Sequence, residues 1–143
     1  MRKLFLPITA ILLLTQQATA EDTKPGNEIR QQGQASYFRA GEGGNTLTAS
    51  GEPVAPQEHT AASRDLPLGT VGTVTNQKTG QSTEVRINDR GPTLPDRIID
   101  VSEQAARDLG IEEIGLAPVI VEADPDKQQD PEIRKQLEQM ATK

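Results

Sequence analysis

Thr83-Glu84-Val85-Arg86-Ile87-Asn88-Asp89-Arg90-Gly91-Pro92 is the stretch on which the reading of this chain turns. Val85 and Ile87 alternate with polar neighbours, the period of a strand with one face in a core, and Gly91-Pro92 stops it. Upstream, Thr70 to Thr75 repeats the pattern and is joined to Thr83–Asn88 by the polar turn Gln77-Lys78-Thr79-Gly80. Four further short alternating runs, Ala35–Phe38, Thr60–Ala62, Ile98–Val101 and Ala117–Val121, bring the expected strands to six. One helix interrupts them, with Ser102 as N-cap, Glu103 complementing its dipole and Gly110 as its left-handed stop. Ala105, Ala106 and Leu109 share one face of that helix. So few strands in an open sheet would expose edges, so the expected fold is all-β, a closed six-stranded barrel over 33–123 with one or two short helices.

The flanks read differently. Arg2 and Lys3 precede an apolar run from Leu4 to Leu14, and Ala18, Thr19 and Ala20 end it in small residues. This is the pattern of a secretory signal peptide over 1–20. The apolar stretch falls short of the about 20 residues that cross a bilayer. Cleavage after Ala20 would leave 123 of the 143 residues and take the formal charge from −6 to −8. Residues 21–32 are polar, contain Pro25 and Gly26, and are expected to form a linker. The charged tail, 124–143, contains a helix signal in Asp130 and Pro131, with Ile133, Leu137 and Met140 on one narrow face. Docked helix and dangling tail are both compatible with that pattern.

Composition excludes several classes of function. The acidic balance disfavours nucleic acid as a partner, although locally clustered basic residues can still attract an anionic polymer. The chain has no cysteine, hence no disulfide, thiol nucleophile or amino-terminal lipid anchor, and the mature chain is expected to be soluble in the periplasm without a membrane anchor. A single histidine, His59, argues against a histidine-rich zinc site, and neither a metal nor an organic cofactor is implied. The three aromatics, Phe5, Tyr37 and Phe38, leave the core to aliphatic side chains.

Five segments in order carry a resemblance: Gly33-Gln34-Ala35-Ser36-Tyr37; Thr48-Ala49-Ser50-Gly51-Glu52; Thr60-Ala61-Ala62 running into Leu66-Pro67-Leu68-Gly69-Thr70; Val85 to Pro92; and Arg97-Ile98-Ile99-Asp100-Val101-Ser102, followed by Gly115-Leu116-Ala117-Pro118-Val119. Together they resemble the RlpA-like double-psi β-barrel family. That resemblance implies a barrel with a polysaccharide groove across one face, in a family whose characterised members are lytic transglycosylases acting on peptidoglycan strands, preferably those stripped of stem peptides. Expansins and some cellulases have related barrels.

The family's catalytic aspartate falls on Asp89. From the residues alone, the turn-forming role of an Asp in this setting is the stronger reading, and it is the resemblance that reverses it. Lytic cleavage needs a group that protonates the glycosidic oxygen and then accepts the proton of the sugar's own C6 hydroxyl, and one carboxylate can do both. Glu52 matches a family groove residue and is expected to position a sugar hydroxyl or polarise Asp89, with Gly51 allowing close approach of the backbone to a ligand. The family's second groove aspartate falls on Ala55 and its histidine on Ser63, so neither ionises here. His59 stands four residues before Ser63, roughly 13 Å away in an extended strand at about 3.3 Å per residue, and is expected to be an ordinary edge histidine. Ser63, Arg90, Arg97 and Tyr37 are the remaining substrate-binding candidates. Either arginine is as compatible with a structural ion pair, and Tyr37 with packing. Asp100 is expected to support the start of the Ser102 helix, although a carboxylate in this region is functional in cellulase-like relatives.

The leading expectation is an exported lytic transglycosylase that forms 1,6-anhydromuramic ends on strands lacking stem peptides. A hydrolase would need a second carboxylate. The alternatives are a non-catalytic peptidoglycan-binding or expansin-like module, and a barrel that binds cell-wall or division proteins.

Overall fold

The computed structural model describes residues 27–39, 41, 42, 44 and 46–143. The signal peptide, 1–20, and the polar stretch as far as residue 26 lie outside the described residues. Six strands close into a barrel: β1 (Ile29–Tyr37), β2 (Thr60–Ser63), β3 (Val71–Asn76), β4 (Ser82–Asp89), β5 (Arg97–Val101) and β6 (Ala117–Ala123), in the order β1-β5-β2-β4-β3-β6. β1 runs parallel to β5, and β2 to β4, while the other four pairings are antiparallel. Parallel neighbours cannot be joined by a tight turn, and the two crossovers give the double-psi topology. The expected six-stranded class is the one observed.

The interior is aliphatic. Val74, Val85, Ile87, Ile99, Val101, Val119 and Val121 fill it beside Ala35 and Ala61, all essentially inaccessible. Gly33 makes room for the Ile98 side chain, since an added Cβ would lie 2.6 Å from Ile98 Cγ2.

β1 begins at Ile29, so the expected linker over 21–32 gives up its last four residues to the barrel. Ile29 to Gln32 pair in register with Ala123 to Ile120 of β6. A backbone ladder forms there whatever the side chains are, which is why a polar sequence hid it.

Helix α1 (Glu103–Asp108) follows β5, its first turn capped by Ser102 Oγ accepting from the Ala105 amide at 3.3 Å. Ala105, Ala106 and Leu109 are buried, and Gly110 takes φ +70° past the end. The tail docks. Gln128 reaches back to both the N–H and the C=O of Val71, each at 2.9 Å, and helix α2 (Pro131–Ala141) starts at the Asp130 cap. Its Leu137 is fully buried, and Ile133 and Met140 pack against the core. Leu137→Ala is expected to destabilise the fold by about 2–5 kcal/mol in a denaturant titration, the range for removing a core leucine side chain. A loss well under 1 kcal/mol would mean that the helix does not hold the barrel.

Candidate functional site

A cleft of about 430 Å³ opens on one face of the barrel. Its floor is a row of residues in register across four strands: Asp89 on β4 opposes Ala62 on β2, Ala62 opposes Asp100 on β5, and Asp100 opposes Ser36 on β1. All four line the cleft. With strands about 4.8 Å apart, the two aspartates stand roughly 9.6 Å apart at their Cα atoms, with only the Ala62 methyl between them.

Two irregularities build this row. Ala61 faces Ile87, yet Ala62 faces Asp89, so Asn88 is an extra residue in β4. Were β4 regular through Asn88, strict alternation would place Asp89 on the same side as the core residue Ile87. Likewise Gln34 faces Arg97 while Ala35 faces Ile99, so Ile98 is extra in β5. That second bulge brings Arg97 to the side of Asp100 rather than of buried Ile99.

Asp89 is held by its backbone surroundings. Its Oδ1 accepts from the amides of Ala49 at 3.0 Å and Arg90 at 2.8 Å, and Oδ2 takes no hydrogen bond among the described residues. The Ala49 amide belongs to a loop closed by the Leu47–Pro53 bridge and fastened to β4 through Ser50 N–H to Asn88 O at 3.1 Å.

Glu52 holds that same loop from the other side. Its two carboxylate oxygens accept from Nη1 and Nη2 of Arg86 at 2.6 and 2.7 Å. The Arg86 guanidinium therefore keeps the Glu52 carboxyl below the usual range. Glu52 does not line the cleft with Asp89. Its link to Asp89 runs through the loop whose Ala49 amide donates to Asp89, and Gly51, at φ +85°, serves the turn from Thr48 to Glu52.

Asp100 differs from its expected role at the helix start, because Ser102 supplies that cap itself. Instead it lies on the cleft floor, accepting from Ser36 Oγ at 3.2 Å. Burial pushes its carboxyl up, opposed by the Ser36 hydrogen bond and the charge of Arg97, and reinforced by Glu42 and Asp89.

The other candidates divide. Arg97 and Arg90 both line the cleft. Arg90 spends Nη1 on the carbonyls of Ser63 and Leu66, at 2.9 and 2.7 Å, and so ties the end of β4 to the end of β2. Ser63 is a correction: it does not line the cleft, but is buried, its Oγ accepting from the amides of Asp65 and Leu66 to shape the turn after β2. Tyr37 is a second correction. Its hydroxyl donates to Glu112 O at 2.8 Å and its ring is covered by the Arg39 guanidinium, 5.3 Å from the centroid. The aromatic that does line the cleft is its neighbour Phe38, beside Val54, Pro92 and Leu94. His59 sits apart from the cleft, 2.6 Å from Asp108 Oδ2 at the end of α1.

Alternation in β1 offers one signal for Phe38, since Ala35 and Tyr37 share a face and Phe38 follows Ser36. No comparable signal exists for the bulges. A second hollow, about 490 Å³, lies between β3, β4 and the carboxy-terminal segment and contains neither aspartate. No helix among the described residues is long and apolar enough to cross a membrane.

The profile of a family described as lytic transglycolase matches residues 30–121. A protein of Nostoc sp. named probable endolytic peptidoglycan transglycosylase RlpA is 50% identical over 92 residues, which make up 64% of this chain and 25% of that protein. Its Treponema pallidum namesake is 41% identical over 126 residues, 87% of this chain and 38% of that one. The chain thus spans a quarter to about two-fifths of the length of these relatives. Among solved structures, the apo expansin of Clavibacter michiganensis superposes with a TM-score of 0.53 at 25% identity, over 67% of this chain and 50% of the expansin.

Proposed function

Because the chain belongs to the lytic transglycolase family of double-psi β-barrels, we propose that it cleaves peptidoglycan glycan strands lacking stem peptides and leaves 1,6-anhydromuramic ends. The observation that carries this reading is the pair of carboxylates, Asp89 and Asp100, on one cleft floor with a single methyl group between them. Burial favours the protonated form of Asp100, which suits it to give a proton to the leaving glycosidic oxygen. Asp89, fixed through Oδ1, offers its other oxygen to the C6 hydroxyl that attacks C1. The relatives' printed names, which specify peptidoglycan transglycosylase, support the substrate class.

Asp100 also supplies the second carboxylate that Ala55 lacks, so water could replace the C6 hydroxyl. Two carboxylates on one cleft floor, one as acid and the other as base towards water, are what an inverting hydrolase uses. A binding module of expansin type is the alternative favoured by Ala55 and Ser63, where the family has ionisable groups. Purified protein incubated with stem-free strands separates the three. Anhydro ends support the proposal, new reducing ends labelled from heavy-oxygen water mean hydrolysis, and retention of intact strands means binding alone.

The reading includes export to the periplasm, supported by the leader pattern over residues 1–20. An envelope form whose first residue is Glu21 is expected by mass spectrometry, and an uncleaved cytoplasmic form would overturn it. Cell-wall or division proteins are proposed partners only as co-residents of that compartment.

A further inference from the structure

We infer that Arg97 recognises a carboxylate on the glycan, the free lactyl carboxylate of a muramic acid without its stem peptide; this rests on the peptidoglycan reading above. Eight arginines fall among the described residues, and seven donate side-chain hydrogen bonds, to carboxylates, to the Tyr37 hydroxyl or to backbone carbonyls. Arg97 donates none to a described residue, and its Nε is buried without a partner. A guanidinium cannot shed its charge, and a buried donor left unpaired costs stability. Protein covers that Nε, whereas the two terminal nitrogens are not buried and likewise donate to no described residue, which leaves the outer edge of the guanidinium for a partner that arrives.

The surroundings specify that partner as an anion. Arg97 is near enough to Asp100 to pull its carboxyl down, yet makes no hydrogen bond to it, and burial pushes that carboxyl the other way. Asp100 is therefore a poor counter-charge. The bulge at Ile98 turns Arg97 onto the cleft face, where an extended carboxylate could meet its planar donor fork. Beside it, Leu94 is 47% exposed and accepts the Arg97 amide through its carbonyl at 3.2 Å. The Arg64 guanidinium, bonded to the carbonyls of Pro92 and Leu94, fixes this apolar wall. A lactyl ether carries a methyl group next to its carboxylate, so one substituent fits both the wall and the cation. With the stem peptide attached, that carboxylate is an amide and the charge is gone.

The test compares stem-free strands with the same strands methyl-esterified, using wild-type protein and Arg97→Gln. For wild type, esterification is expected to weaken binding and raise KM about 10- to 100-fold, the equivalent of one charge-assisted hydrogen bond. Arg97→Gln should lose about the same factor on free strands and respond little to esterification, while Arg97→Lys recovers part of the loss. A wild-type protein indifferent to esterification overturns the inference and needs no variant to fold. So does a glutamine variant that still discriminates as wild type does. If wild type neither binds nor cleaves either polymer, the peptidoglycan reading itself fails and the inference falls with it.

Discussion

Asp100→Asn is expected to lower strand cleavage about 10²–10⁴-fold while making the protein more heat-stable at neutral pH, the activity loss being what general acid catalysis contributes. Both effects follow from one cause. Burial raises the Asp100 carboxyl above the ordinary aspartate value of 3.8. Below that value both the folded and the unfolded chain hold the proton, and nothing is lost. As the pH climbs through the raised value, the folded protein must carry an ionised group that the unfolded chain accommodates more easily, so stability falls. Asparagine removes that cost and can still accept the Ser36 hydroxyl through Oδ1. The gain in melting temperature over wild type should therefore be present at pH 7 and vanish below about pH 4. The comparison has to be between variant and wild type at each pH. Glu52 and Asp108, held low by Arg86 and His59, contribute stability above the usual carboxylate range and lose it on acidification, the opposite trend. An Asp100→Asn protein that cleaves normally, or that is no more stable at pH 7, would sink this assignment.

The barrel was legible because alternation reports burial directly. Val74, Val85, Ile87, Val119 and Val121 all lie in the core that their spacing implies. The Ser102 cap, the Gly110 stop and the Asp130-Pro131 helix start were legible for a similar reason, since each is local chemistry. The site was not legible in the same way. Alternation extended through β4 puts Asp89 with Ile87, and extended through β5 puts Arg97 with Ile99. Only an extra residue in each strand, Asn88 and Ile98, reverses those assignments. A bulge depends on the partner strand, and no single segment encodes it. Ser63 and Tyr37 misled for a related reason. Each is a polar group near the right strand end, and each is consumed by a neighbour distant enough in sequence or short enough in reach to be invisible beforehand. The resemblance located the groove; the residues that line it depended on register.

Asp89→Asn is expected to reduce kcat about 10²–10⁴-fold with little change in KM, and it is the cleaner of the two active-site tests because the fold should not notice it. The Ala49 and Arg90 amides both donate to Oδ1. The variant can satisfy them only with its amide oxygen, since the amide nitrogen does not accept. That nitrogen then occupies the place of Oδ2, where it cannot take the C6 hydroxyl proton. Circular dichroism and melting temperature should stay near wild type while anhydro ends disappear. If Asp89 and Asp100 pass one proton balance between them, the double variant should be little worse than the weaker single one, because groups that act as a unit are not additive. Equal and multiplicative losses would instead mean separate roles. Full cleavage by Asp89→Asn would leave Asp100 as the only carboxylate among the two on the floor able to act, and the attacking oxygen would have to lose its proton elsewhere.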